Sequence, residues 1–197
     1  IVDFLKYAKE NGKYQTAIDL LSEVSDKDLR DVSISVLKDN LDNSVKGSGD
    51  IYNAYVLNPR VSNEMLVPYK KELSKYFDNV TKENLNKNPQ SLVDWVKDSI
   101  KINDNLNARG IVMAPTSVLR HRITDSRSRN IFFVSMARSI GIPSRIDPVT
   151  AKVQYLKDND WIDVKFEEEM VAAVPTQQGI LMAEYATTPQ LSDLRYY

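Results

Sequence analysis

Apolar positions recur at helical spacing through the first 46 residues. Val2, Phe4, Leu5 and Ala8 share one face, Ala17, Ile18, Leu20 and Leu21 a second, and Leu29, Val32, Val36, Leu37 and Leu41 a third. The spacing predicts three short helices, broken at Asn11-Gly12 and Ser25-Asp26, where residues that favour turns and caps interrupt the pattern. No period from this region recurs downstream, so residues 1–46 read as a helical extension and not as a repeat array. The polar, glycine-rich run Lys46-Gly47-Ser48-Gly49-Asp50 follows as a linker.

Beyond it the pattern is mixed. Residues 51–57 alternate too loosely to separate a strand from a short helix. Asn58-Pro59 makes a turn, Ser62 is a candidate cap, and Pro68 fits only a first helical turn, so a helix is expected over 67–77. Asn88-Pro89 starts another, with Leu92, Val93, Trp95, Val96 and Ile100 along it. A polar turn over 103–110 precedes Ala114-Pro115-Thr116, which opens a short helical turn through Leu119. The most ordered stretch is 125–164. Ser126 or Ser128 caps a helix whose apolar residues are Ile131, Phe132, Val134, Met136, Ala137 and Ile140, and Gly141 before Pro143 ends it. Strands are expected over 144–149, 153–156 and 161–164, the last two joined by a polar turn at Lys157-Asp158-Asn159-Asp160. Residues 179–185 have the composition of a further strand, and Glu167, Glu168 and Glu169 that of a solvated face.

Composition removes several functions. The 26 basic and 27 acidic residues nearly cancel, so no net field draws the chain to nucleic acid. No apolar run approaches the roughly 20 residues that span a bilayer. With no cysteine, disulfides, thiolate metal sites and a thiol nucleophile are all absent, and a single histidine, His121, excludes a site of two imidazoles. Asn103, Asp104, Asn105 and Asn107 lack the spacing of a calcium loop, and no metal or cofactor is expected. Ile1 lies inside an amphipathic pattern, which makes the chain read as a piece of a longer protein.

The segment Arg138-Ser139-Ile140-Gly141-Ile142-Pro143-Ser144-Arg145, set between a helix and a Trp-bearing hairpin, resembles the core of the transglutaminase-like superfamily. The phrases YVLNPRVSNEMLVPY, DSRSRNIFFVSMARSIGIPSRIDPV and KVQYLKDNDWIDVKFE are similar to a bacterial envelope subfamily of multidomain members. The resemblance implies an α+β fold, a helix packed on a small antiparallel sheet, over residues 50–197, cut short at its C-terminal end and preceded by the helical extension at 1–46. It also implies a place in the cell envelope, periplasmic or surface-exposed, with other domains of the same polypeptide as partners.

Members of this family use a cysteine at the helix start, a histidine on the strand after the Gly-Ile-Pro turn, and a carboxylate that orients it. The cysteine position, fifteen before Gly141, holds Ser126. The histidine position falls at about 151–153, with Gln154 the nearest polar side chain, and the carboxylate position falls near Asp163 or Lys165. A serine hydroxyl gains little from a helix dipole, and glutamine cannot take up a proton and return it. A module that binds peptide or glycan without catalysis is therefore expected, against a Ser126-dependent acyl transferase or peptidase-like hydrolase with His121 or another domain as its base. Arg120, His121, Arg122, Arg127 and Arg129 could hold an anion at the helix start, or pair with surface carboxylates. Most aromatic residues read as core, but Tyr52, Tyr55, Tyr69, Tyr76 and Tyr155 leave open some rings lining a groove.

Overall fold

The first segment folds as four helices, one more than its pattern predicts. The computed structural model describes residues 1–166; the strand expected over 179–185 and the acidic run from Glu167 lie outside the described residues. α1 (Val2–Glu10) and α2 (Tyr14–Glu23) separate at Gly12, where φ is +67°, and Ser25 opens α3 (Asp26–Asp31) by accepting the Asp28 N–H at 3.2 Å. The third apolar face divides between α3 and α4 (Ile34–Asn43), because Val32 and Ser33 are extended. Phe4, Ala8, Ala17, Leu20, Leu37 and Leu41 close into an apolar cluster with Leu57.

Residues 50–57 are helical: a single turn, α5 (Asp50–Tyr52), runs into a π-helix, Asn53–Leu57, in which the Asn58 N–H reaches the Asn53 carbonyl at 3.0 Å. Such wide turns concentrate at functional sites. The helix expected over 67–77 is shorter, α6 (Lys70–Ser74), and lacks a local cap. Asp39 of α4 supplies one, accepting the N–H groups of Tyr69, Lys70 and Lys71 at 2.8, 2.7 and 3.0 Å. Lys70 itself is buried, its Nζ donating to the Ser44 hydroxyl at 2.9 Å and to the Val56 carbonyl. Burial, with the Arg138 charge adding to it, drives its pKa well below the ordinary lysine value.

α7 (Asn79–Lys87) has no counterpart in the pattern, because Leu85 is its one buried residue; Asp78 starts it by accepting the Thr81 N–H at 2.7 Å. α8 (Gln90–Ser99) begins one residue later than expected, with Pro89 at the cap position, and Asn88 donates to the Ser91 hydroxyl at 2.9 Å and does not cap a backbone N–H with its side chain. β1 (Lys101–Ile102) pairs in parallel with β2 (Ile123–Thr124), and α9 (Pro115–His121) lies between them in sequence with proline in its first turn.

α10 (Ser126–Ser139) is the centre of the larger core. Ile131, Phe132, Phe133, Val134, Met136 and Ala137 are all fully buried, as befits a helix covered on every side. It ends as its sequence predicts: Gly141 has φ +93°, the Ile142 N–H bonds the Ala137 carbonyl at 2.9 Å and the Gly141 N–H the Arg138 carbonyl at 3.2 Å. Buried Arg138 fastens the next strand to an earlier loop, donating to the carbonyls of Ser144 (2.9 Å), Asn58 (3.0 Å) and Arg60 (2.7 Å).

β3 (Ser144–Ile146), β4 (Val153–Lys157) and β5 (Asp160–Asp163) form an antiparallel sheet in that order. Asp158 and Asn159, at φ +52° and +69°, make the two-residue turn that sets Gln154 opposite Asp163 and Tyr155 opposite Ile162. Val153 and Tyr155 join the core of α10, so the fold is α+β, with a helix packed on a small antiparallel sheet.

Candidate functional site

Two carboxylates close the N-terminus of α10. Ser126 is its first residue; its N–H donates to Asp104 Oδ1 at 2.7 Å and its hydroxyl to Asp104 Oδ2 at 2.9 Å. Asp104 starts a 3₁₀ turn, Asp104–Leu106, carried to this point because the Asn103 N–H extends the β1–β2 pairing to the Thr124 carbonyl at 2.9 Å. Asp125 is the cap, accepting the Ser128 N–H at 2.9 Å, the Ser128 hydroxyl at 2.7 Å and the Asn107 amide at 2.8 Å.

The cap is thus Asp125, in place of the Ser126 or Ser128 expected from sequence. An ionised carboxylate accepts more strongly than a hydroxyl and adds a negative charge at the positive end of the helix dipole. Burial pushes the Asp125 carboxyl up, but the hydrogen bonds from Ser128 and Asn107 outweigh it and leave the group below the usual carboxylate range.

The chemistry open to Ser126 follows from this arrangement. Its hydroxyl has a proton acceptor within reach, in a carboxylate, which is a poor base toward an alcohol near neutrality. The same carboxylate also takes the Ser126 N–H.

Gln154 and Asp163 form a second, separate network. Gln154 Nε2 donates to Asp163 Oδ1 at 2.7 Å, Arg145 Nε donates to Gln154 Oε1 at 2.9 Å, and Lys152 Nζ approaches Asp163 Oδ2 at 2.5 Å. The hydrogen bonds from Gln154 and then Lys152 hold the Asp163 carboxyl below its ordinary range. Strand alternation places this row on the sheet face opposite Val153 and Tyr155, the pair that packs with α10. No hydrogen bond among the described residues links Ser126 to Gln154 or Asp163.

The basic residues near the helix start are directed to different partners. Arg120 forks onto Glu72 at 2.9 and 2.5 Å. Arg122, in the left-handed region at φ +59°, donates to the Tyr76 hydroxyl at 2.7 Å and lies over the Tyr76 and Trp95 rings. Arg127 donates to the Asn63 side chain, and Arg129 is buried over the Phe166 ring, 4.3 Å from its centroid. His121 is exposed at the end of α9. Among the described residues, the hydrogen bonds of Arg120, Arg122 and Arg127 run to Glu72, Tyr76 and Asn63 and not to Ser126.

The sequence pattern raises Asp104 and Asn107 only as a rejected calcium loop, and the capping role of Asp125 not at all. An aspartate just before a helical run is a local cap signal that was available; the reach of Asp104 across 22 positions is not a local signal at all. The aromatic residues also resolve. Tyr69 and Tyr155 are core, Tyr52 packs on the N-terminal cluster, Tyr76 meets Phe77 and Trp95, and Tyr55 stands edge-on to Trp161 with centroids 4.8 Å apart.

Residues 71–169, half of the chain, match the family model of the transglutaminase-like superfamily. No curated protein and no solved structure matches the chain. Among the described residues, no helix is long and apolar enough to cross a membrane.

Proposed function

The chain belongs to the transglutaminase-like superfamily, and on that premise we propose that it keeps the fold without the thiol chemistry and serves as a binding or structural module for a peptide or glycan. The observation that carries this reading is the Ser126–Asp104 contact. A serine stands at the nucleophile position, and its hydroxyl and N–H are both spent on one carboxylate. Gln154, the polar side chain nearest the base position at about 151–153, supports it, since an amide neither accepts nor returns a proton at neutral pH.

The proposal extends to context. The module sits in a larger bacterial cell-envelope protein, periplasmic or surface-exposed, beside other domains of the same polypeptide; the support is the sequence phrases that resemble that subfamily. Ser126-dependent hydrolysis or acyl transfer is the second reading, and it needs a stronger base than Asp104 to take the hydroxyl proton, supplied by His121 or by another domain. A fluorophosphonate probe separates the two. The binding reading expects no labelling of the wild-type chain; labelling that disappears in Ser126→Ala would establish the enzyme.

A further inference from the structure

The sheet face turned away from α10 carries two adjoining rows. One is polar: Arg145, Gln154 and Asp163 in cross-strand register, with Lys152 at its end. The other pairs Leu156 with Trp161, and Tyr55 of the π-helix meets Trp161 edge-on at 4.8 Å. The Arg145 guanidinium lies 4.1 Å from the Trp161 ring centroid and 5.7 Å from that of Tyr55. Trp161, Tyr55, Gln154 and Asp163 all keep part of their surface in solvent.

We propose that this face binds a neutral oligosaccharide, resting on the reading that the domain binds and does not catalyse. Three features select that class. The charges are paired within the face, Arg145 with Asp147 at 3.2 Å and Lys152 with Asp163 at 2.5 Å, so an ionic ligand would have to break an ion pair to gain one. Among the described residues, Gln154 uses one amide proton and one carbonyl lone pair, and each Asp163 oxygen accepts one side-chain bond of the two it can. Donors and acceptors beside an aromatic ring match a sugar, which presents hydroxyls at its rim and apolar C–H groups on its faces. The network also fixes these side chains before a ligand arrives, which lowers the entropic cost of binding. A peptide bound by strand addition would use the edge of the sheet and would leave this face unchanged.

The test uses the full chain and a panel of neutral hexasaccharides built from glucose, xylose, mannose or N-acetylglucosamine, titrated by tryptophan fluorescence and by isothermal calorimetry. At least one sugar is expected to bind, with affinity reduced about tenfold in Trp161→Ala, a loss of 1.4 kcal/mol, and reduced less in Tyr55→Ala and Gln154→Ala. Retention of Trp95 fluorescence and of cooperative melting shows that each variant is folded; Gln154→Ala changes no core residue and keeps the test valid if Trp161→Ala fails to fold. No binding across the panel, binding indifferent to both Trp161→Ala and Gln154→Ala, or binding of peptides in place of sugars at this face would overturn the proposal. Fluorophosphonate labelling of the wild type and of Ser126→Ala, run beside the sugar titration, separates the two readings. Fluorophosphonate labelling of Ser126 with sugar binding intact defeats the non-catalytic reading alone, whereas an inert serine with no sugar binding defeats this one alone.

Discussion

The Ser126 hydroxyl and the Asp104 carboxylate are joined at 2.9 Å, and the Ser126 N–H reaches the other oxygen of the same group at 2.7 Å. A bidentate contact of this kind makes the serine part of a helix cap. Asp104→Ala should therefore lower stability by about 1 kcal/mol, the scale of a lost acceptor at a helix start. Urea denaturation at neutral pH measures it, and an unchanged midpoint would mean that the contact is incidental.

Asp125 makes the same helix start sensitive to acid. Its folded pKa lies below the ordinary value, so the unfolded chain binds the proton first as pH falls. The stability it contributes is complete above the unfolded carboxylate pKa of about 3.9 and is lost as pH drops through the folded value. Asp125→Asn keeps an acceptor at the cap but cannot titrate. Its urea midpoint should fall less steeply than that of the wild type between about pH 5 and pH 3, and parallel curves would refute the assignment.

Gly141→Ala tests the end of α10. A Cβ at φ +93° is strained, and it would also stand 3.3 Å from Val45 Cγ2. A loss of about 1–2 kcal/mol is expected, the cost of placing an L-residue in the left-handed region. A smaller loss would show that the turn can relax past Val45.

Lys70 gives a slope of the opposite sign to a salt-bridged lysine. Burial lowers its folded pKa, so the unfolded state binds the proton until the pH approaches about 10.4, and stability should rise with pH below that point. Tyr69, also buried and with a raised pKa, reverses the trend only above about pH 10. Between about pH 8 and pH 10 the melting temperature of Lys70→Met should be flatter than that of the wild type. An equal rise in both would place the titrating group elsewhere.

How much of this was legible in the sequence depends on whether the signal was local. The end of α10 could be read because Gly141 carries it alone, and the hairpin of β4 and β5 could be read because the polar residues around Asp158-Asn159 mark its turn. α7 escaped because one buried leucine makes no stripe, and the break between α3 and α4 escaped because the apolar spacing continues across it. Residues 50–57 stayed ambiguous for a physical reason: a π-helix has neither the period of a strand nor that of an α-helix. At the candidate site, Ser126, Gln154 and Asp163 are named by resemblance alone. The Asp104 contact depends on the pairing of two short strands, and no spacing in the chain announces it.

The cap that Asp39 provides to α6 limits how the protein can be dissected. α6 has no side-chain cap of its own, and the helical layer that supplies one also clasps Arg60 through the paired oxygens of Asp28. A fragment begun at the glycine-rich stretch would leave three N–H groups bare at the start of α6, and would take the Ser44 hydroxyl away from buried Lys70, leaving it the Val56 carbonyl. Excision, domain grafting or exchange of the helical layer between relatives must therefore carry residues 28–44 along with whatever lies downstream.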